Sequence, residues 1–254
     1  MTNDRSTPAA VEVVALHPAD AEHAQAGGAD RLHVCAVPAS SRAGDQPHSL
    51  EPAAVSAIVR ATDLPVRVTL RLSEGFTTSG GEFTRLTGLV TDYLSLGVEG
   101  FVFGFLTSDL EVDTDVCAAL AGSLVGAPWT FDRAFDHALD ARRAWRALEG
   151  MPGLDGIHTA GAVRGMEVGV EDLLALAQAD PSFAATAVAA GGVQAEDVPW
   201  LVRAGVRRLH LGSAVRPGGS WTKAHVDSGF VRSWRLLLDS AVGRASSGAG
   251  GQAG

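Results

Sequence analysis

PWTFDRAFD, residues 128–136, runs from an apolar, strand-like segment into three charges: Asp132, Arg133 and Asp136. Charge at the end of a buried strand is costly unless it is paired or meets water, so these residues either form structural ion pairs or line a site. Similar segments offer Glu12 in VEVVAL (11–16), His33 and Cys35 in RLHVCA (31–36), and Arg71 closing VRVTLR (66–71). His158 and Thr159 end DGIHT (155–159), and His210 and Ser213 lie in RRLHLGS (207–213). Glu12, His33 and Asp132 are the candidates for moving protons. Arg71 and Arg133 are the candidates for clamping a carboxylate or phosphate. Cys35 is the soft donor, two residues from His33 and so on the same face of a strand. Asp136 suits the cap of a following helix equally well. Cys117 lies in an amphipathic stretch and reads as a packing residue.

Two glycine turns form a second signal. AAGGVQAEDV (189–198) and LGSAVRPGG (211–219) place Gly191, Gly192, Gly212 and Ser213, with Arg216 nearby, after two apolar runs. Glycine lets backbone N–H groups approach an anion, and turns after the seventh and eighth strands of a barrel commonly hold phosphate. The alternative is that these glycines only tighten the turns. No CxxC or HxxEH spacing is present, and the methionines are three. A metal site therefore needs ligands that converge from distant strands or from two subunits. No serine sits in GxSxG, which leaves nucleophilic hydrolase chemistry without support.

The elements that must position these residues repeat a loose pattern. AGGADRLHV, LGVEGFVF, PGLDGIHT and AGVRRLHLG each join a helix-ending glycine to a polar residue and then an apolar run. Such runs read as buried parallel strands. Eight are predicted, at 11–16, 31–36, 66–71, 100–105, 128–132, 155–159, 185–190 and 207–212, with helices between them such as 82–96, 169–179 and 227–242. Eight βα units predict an α/β protein with the (β/α)8 TIM-barrel fold; a doubly wound open sheet is the alternative. The predicted domain spans 10–242, with 1–9 and the Gly/Ser/Ala-rich 243–254 expected to be disordered.

The 254 residues suit one such barrel, and 46% hydrophobic residues suit a sizeable core. No apolar stretch is long enough to span a membrane, and MTNDRSTPAA has no basic head followed by an apolar core. Two cysteines build no disulfide framework, so the expected compartment is the reducing cytoplasm. A net charge of −9 disfavours nucleic acid and anionic membranes as partners, and leaves a small molecule or metal ion. Exposed barrel helices also leave room for a homo-oligomer.

GADRLHVCAVP (28–38), TFDRAFD (130–136), AAGGVQAEDV (189–198) and AGVRRLHLGSA (204–214) resemble, in order, four signature segments of the CutC family, over residues 11–215. The resemblance implies a TIM barrel and a role in copper homeostasis. By position, Glu12 matches the family's first-strand glutamate, Cys35 its second-strand cysteine and Arg71 its third-strand arginine. Arg133 to Asp136 match the RAFD of its HRAFD, and His210 and Ser213 its last-strand pair. The pattern carries glutamate where His33 stands, histidine where Asp132 stands, and arginine where Ser73 stands. Its Cys-rich first strand is VEVVA here, so a thiolate Cu(I) site would rest on Cys35 alone. The two changes at 33 and 132 suggest an exchange of sides, which predicts an acid–imidazole contact between His33 and Asp132 across the barrel mouth.

Three functions follow. One is a copper-homeostasis protein with Cu(I) on Cys35. Another is an enzyme working by acid–base chemistry on a small anionic or phosphorylated metabolite. The last is a catalytically dead barrel kept for binding or assembly, in which the charges pair only with one another and leave no pocket.

Overall fold

Short β-branched and aromatic runs pair in chain order and close on themselves. The computed structural model describes residues 8–37, 47–221 and 223–250. Its strands are β1 (Ala10–Ala15), β2 (Arg31–Val34), β3 (Val66–Thr69), β4 (Gly100–Phe103), β5 (Trp129–Phe131), β6 (Leu154–Thr159), β7 (Ala187–Ala189) and β8 (Arg208–Leu211). All neighbours are parallel, and β8 pairs back onto β1 to close the barrel in the order β1 to β8. This is the (β/α)8 TIM-barrel fold, and the open sheet is excluded.

The helices are α1 (Pro18–Gly27), α2 (Pro52–Val59), α3 (Gly80–Ser95), α4 (Thr114–Gly122), α5 (Ala141–Leu148), α6 (Met166–Ala179), α7 (Pro181–Thr186), α8 (Val198–Arg203) and α9 (Ser228–Gly250). Local chemistry sets their ends. Ser79 accepts a bond from the Glu82 amide at the start of α3, and Asp140 one from the Arg143 amide at the start of α5. Gly28 closes α1 in the left-handed region (φ 89°), its amide donating to the carbonyls of Ala24 and Gln25. The last helix runs past residue 242, where the sequence placed its end. Val242 and Ala245 pack against the core, and the Ser246 and Ser247 hydroxyls bond back to the carbonyls of Val242 and Gly243. Packing on one face outweighs the weak helix propensity of that segment. Residues 1–7 and 251–254 lie outside the described residues.

Strand alternation divides the core in two. Val11, Val13, Leu32, Val34, Phe101, Phe103, Trp129, Phe131, Leu209 and Leu211 are buried in the layer between barrel and helices. The opposite faces of β1, β2, β3, β5, β6 and β8 carry Glu12, His33, Thr69, Thr130, His158 and His210 into the barrel. Layers of branched apolar residues usually fill such an interior. Here it is hydrogen-bonding side chains.

Candidate functional site

Glu12 is the third residue of β1, and strand pairing sets it beside Arg31 on one side and His210 on the other. Its side chain is almost wholly enclosed. The Arg31 Nε donates to its Oε2, and His158 Nε2 lies 2.8 Å from its Oε1. His210 Nε2 lies 3.8 Å from the same oxygen. His33 completes the group: its Nδ1 is 2.9 Å from His210 Nε2 and its Nε2 2.8 Å from Thr69 Oγ1. The bond between the two rings needs a single proton between two nitrogens, so one ring offers a lone pair to the other.

Burial sets the charge state. It opposes ionisation of Glu12, yet Arg31, His158 and His210 together hold its carboxyl well below the usual carboxylate range. Burial is also the largest effect on His33, whose imidazole is pushed down to about 3, and on His210, pushed well below the ordinary histidine value. Glu12 is therefore a carboxylate and His33 and His210 are neutral imidazoles, as metal ligands must be. One donor atom from each of Glu12, His33, His158 and His210 lies within 4.8 Å of all the others. Tetrahedral coordination at about 2.0–2.1 Å would set donors about 3.3–3.4 Å apart, so the set closes on an ion with side-chain adjustments of about 1 Å. Below it, towards the N-terminal ends of the strands, Arg67 pairs with Asp155. Arg208 bonds the carbonyls of Asp155, Ala185 and Thr186. Burial lowers the Arg208 guanidinium to about 10.

A cavity of about 150 Å³ opens on the other side of the cluster, at the C-terminal mouth, with His33 and His210 in its lining. The side chain of His210 is 15% exposed against 3% for Glu12 and His158, so its ring meets the cavity most openly. Cys35, Arg133, Gly191, Gly192, Gly212 and Ser213 also line it. An assembly barrel without a pocket is not what the chain builds.

The candidates thus fall into separate groups. Glu12 and His33 meet in the barrel; Arg71 and Asp132 do not join them. Arg71 Nη2 donates to Asp132 Oδ2 at 2.6 Å and to the Gly104 carbonyl at 2.7 Å, and its Nη1 donates to the Gly75 carbonyl. Asp132 Oδ1 accepts from the Ala134 amide at 2.8 Å. The expected His33–Asp132 contact is absent among the described residues, because Arg71 takes the carboxylate and His33 turns to Thr69 and His210. Arg133 stands on the cavity wall, its Nε 2.8 Å from Asp136 Oδ2 and its Nη2 3.0 Å from the carbonyls of Ala162 and Val163. Asp136 also accepts from the Thr159 hydroxyl and the Ala160 amide, so it is a joint between loops and not a helix cap. Arg216 is taken up by Asp20, at 2.8 and 3.1 Å, and by the carbonyls of Val14 and Ala224. Only its buried Nε is left without a partner among the described residues, and Arg216 does not line the mouth cavity. Cys35 is buried, which raises its thiol to about 12, and Cys117 lies apart against the Phe105 carbonyl. No second sulfur supports a thiolate site.

The sequence placed His158 and His210 at strand ends but did not join them to Glu12, and Arg31 and Thr69 went unmarked. The usable signal was alternation: Arg31 and His33 are two apart on β2, as Arg208 and His210 are on β8, each a polar pair on an inward face.

A parallel barrel with a carboxylate–imidazole cluster beneath its mouth defines the class of the molecule. The CutC family model matches residues 9–215. A family protein CutC of Klebsiella pneumoniae is 31% identical over 205 residues, which covers 80% of this chain and 79% of the relative. One from Bacteroides thetaiotaomicron is 30% identical over 190 residues, 74% of each chain. In fold, the crystal structure of CutC from Streptococcus agalactiae is similar, with a TM-score of 0.68 at 20% identity over 81% of this chain and 98% of that one. The chain belongs to the CutC family. No helix among the described residues is long and apolar enough to cross a membrane.

Proposed function

We propose that this CutC-family barrel binds a transition-metal ion on Glu12, His33, His158 and His210, and that copper is the ion to test first. One observation carries the reading: four strands, distant in sequence, bring one carboxylate and three imidazoles within reach of a single ion. Support for copper comes from the relatives, since the S. agalactiae protein is described as a candidate copper homeostasis protein. The donor set qualifies the oxidation state. Imidazole and carboxylate suit Cu(II), Zn(II) or Ni(II), whereas Cu(I) favours thiolates and thioethers. Cys35, expected from the sequence as the soft ligand, is a protonated thiol on the cavity wall and offers Cu(I) little. A bound ion would supply Lewis acidity or serve as cargo. The protein's own part is to hold four donors fixed, with Arg31 and Thr69 orienting Glu12 and His33.

Chelator-treated protein titrated with Cu(II), Zn(II) and Ni(II) should take up one equivalent of at least one ion by calorimetry and metal analysis. For Cu(II), nitrogen hyperfine structure in the electron paramagnetic resonance spectrum reports the imidazoles. His33→Ala and His158→Ala should each weaken binding by about a hundredfold or more, since even supporting residues around a metal are worth about 10–100-fold. Sub-stoichiometric uptake, or binding untouched by both variants, would falsify the reading.

A further inference from the structure

We propose that the mouth cavity binds a small organic anion, with its oxyanion head on Arg133 and its apolar body against Trp221. The inference goes beyond the metal reading and does not rest on it. Three observations meet at the cavity. First, Arg133 uses Nε and Nη2 on Asp136, Ala162 and Val163, and Nη1 has no partner among the described residues. The guanidinium is held from behind and presents a free, charged donor to the cavity that it lines. Its place depends on Gly191 (φ 79°): a Cβ there would stand 2.8 Å from the guanidinium carbon.

Second, the amides of Gly192, Val193 and Ser213 donate to no protein acceptor among the described residues. Val193 is only 3% exposed, and an unpaired buried N–H is costly unless a ligand or water takes it. All three residues line the same cavity as Arg133. Third, away from His33 and His210 at its floor, the lining is largely apolar and includes Val14, Val37, Leu211 and Trp221. Trp221 packs over Gly212, where any Cβ would collide with its ring, and Arg216 lies 5.5 Å from the ring centroid. The indole is thereby positioned as a wall. One cationic corner, unpaired amides and an apolar, aromatic remainder match a carboxylate or phosphate head on a short carbon body. A bare inorganic ion would leave the apolar side empty.

The test is calorimetry on chelator-treated protein at constant ionic strength, with butyrate, inorganic phosphate and n-butanol as probes. Chelation separates this proposal from the metal reading, which can fail without it. Butyrate is expected to bind at least about tenfold more tightly than n-butanol, the same body without charge. Binding of phosphate without butyrate would overturn the organic body of the proposal and leave an inorganic oxyanion site. Arg133→Gln should weaken anion binding about tenfold or more, the usual worth of a hydrogen bond to a charged group. Arg133 also holds Asp136, so a second variant guards against misfolding. Ala214 is exposed and lines the cavity. Ala214→Asp should weaken both anions several-fold by repulsion and leave n-butanol unchanged. The proposal is overturned if neither anion binds, if n-butanol matches butyrate, or if both charge variants leave affinity unchanged.

Discussion

Two groups of buried charges lie within the same barrel and behave differently. At the ends of β3 and β5, Arg71 and Asp132 spend nearly all their hydrogen-bonding capacity on one another and on the Gly75 and Gly104 carbonyls and the Ala134 amide; the Arg71 Nε alone is left unpaired. Their side chains are 1% and 4% exposed, and neither lines the mouth cavity. In β1, β2, β6 and β8, Glu12, His33 and His158 are as deeply enclosed and His210 less so, yet two rings share one proton and the cavity touches two of them. The difference lies in stoichiometry. Arginine meets carboxylate and carbonyls with donors to match acceptors, which all but saturates the pair and leaves only the Arg71 Nε over. A neutral imidazole carries one N–H and one lone pair, and the Glu12 carboxylate adds only acceptors, so the cluster holds surplus lone pairs that an ion can use.

Breaking the saturated group should cost the most. Asp132→Ala leaves Arg71 buried without its counterion and should lower stability by about 3–5 kcal/mol, measured by urea unfolding. Metal uptake per folded molecule should persist in that variant. If it vanished, the two groups would be coupled and the contrast between them lost.

A smaller effect is expected at the Asp20–Arg216 pair, which ties the segment after β8 to α1. Burial raises the Asp20 carboxyl, but hydrogen bonds from Arg216 and from the Val226 and Leu16 amides outweigh it and leave the pKa below the ordinary value. The unfolded chain therefore takes up this proton first on acidification. The pair's contribution is full above the ordinary carboxylate range and is lost as pH falls through the depressed folded value. Asp20→Asn should flatten that part of the stability–pH curve and cost about 2 kcal/mol at neutral pH. An unchanged acid limb would assign the acid sensitivity to other carboxylates.

The least effect belongs to Cys35→Ser. The change buries a hydroxyl in place of a thiol, for about 1 kcal/mol. Uptake of a divalent ion should stay within about twofold. A large loss would return the thiol to the metal site and erase the distinction between cluster and cavity wall.

Much of the fold was legible because its determinants are local. VEVVAL, VRVTLR and GFVFGF announce strands by β-branching, and Gly28 announces a helix end by its freedom at positive φ. The end of α9 was not legible, because Val242 and Ala245 find their packing partners outside their own segment. The site was legible in part. Glu12 and His33 stood out as polar residues inside apolar strands, and the glycine turns after β7 and β8 do line one cavity with Arg133. Misjudged was the partner of each charge. His33 and Asp132 both lie near the mouth, but Arg71 reaches the carboxylate first.

The amino-acid sequence by itself determined the family, through its four signature segments, and also the βα repeat and which face of each strand carries polar groups, which follow from the period along the chain. Only the tertiary structure decided that His158 and His210 join Glu12 and His33 while Arg71 and Asp132 pair off elsewhere. Which inward residues share a layer is set by how closure and stagger offset β1, β2, β6 and β8 around the barrel. That offset is a property of the closed sheet, and no single segment encodes it.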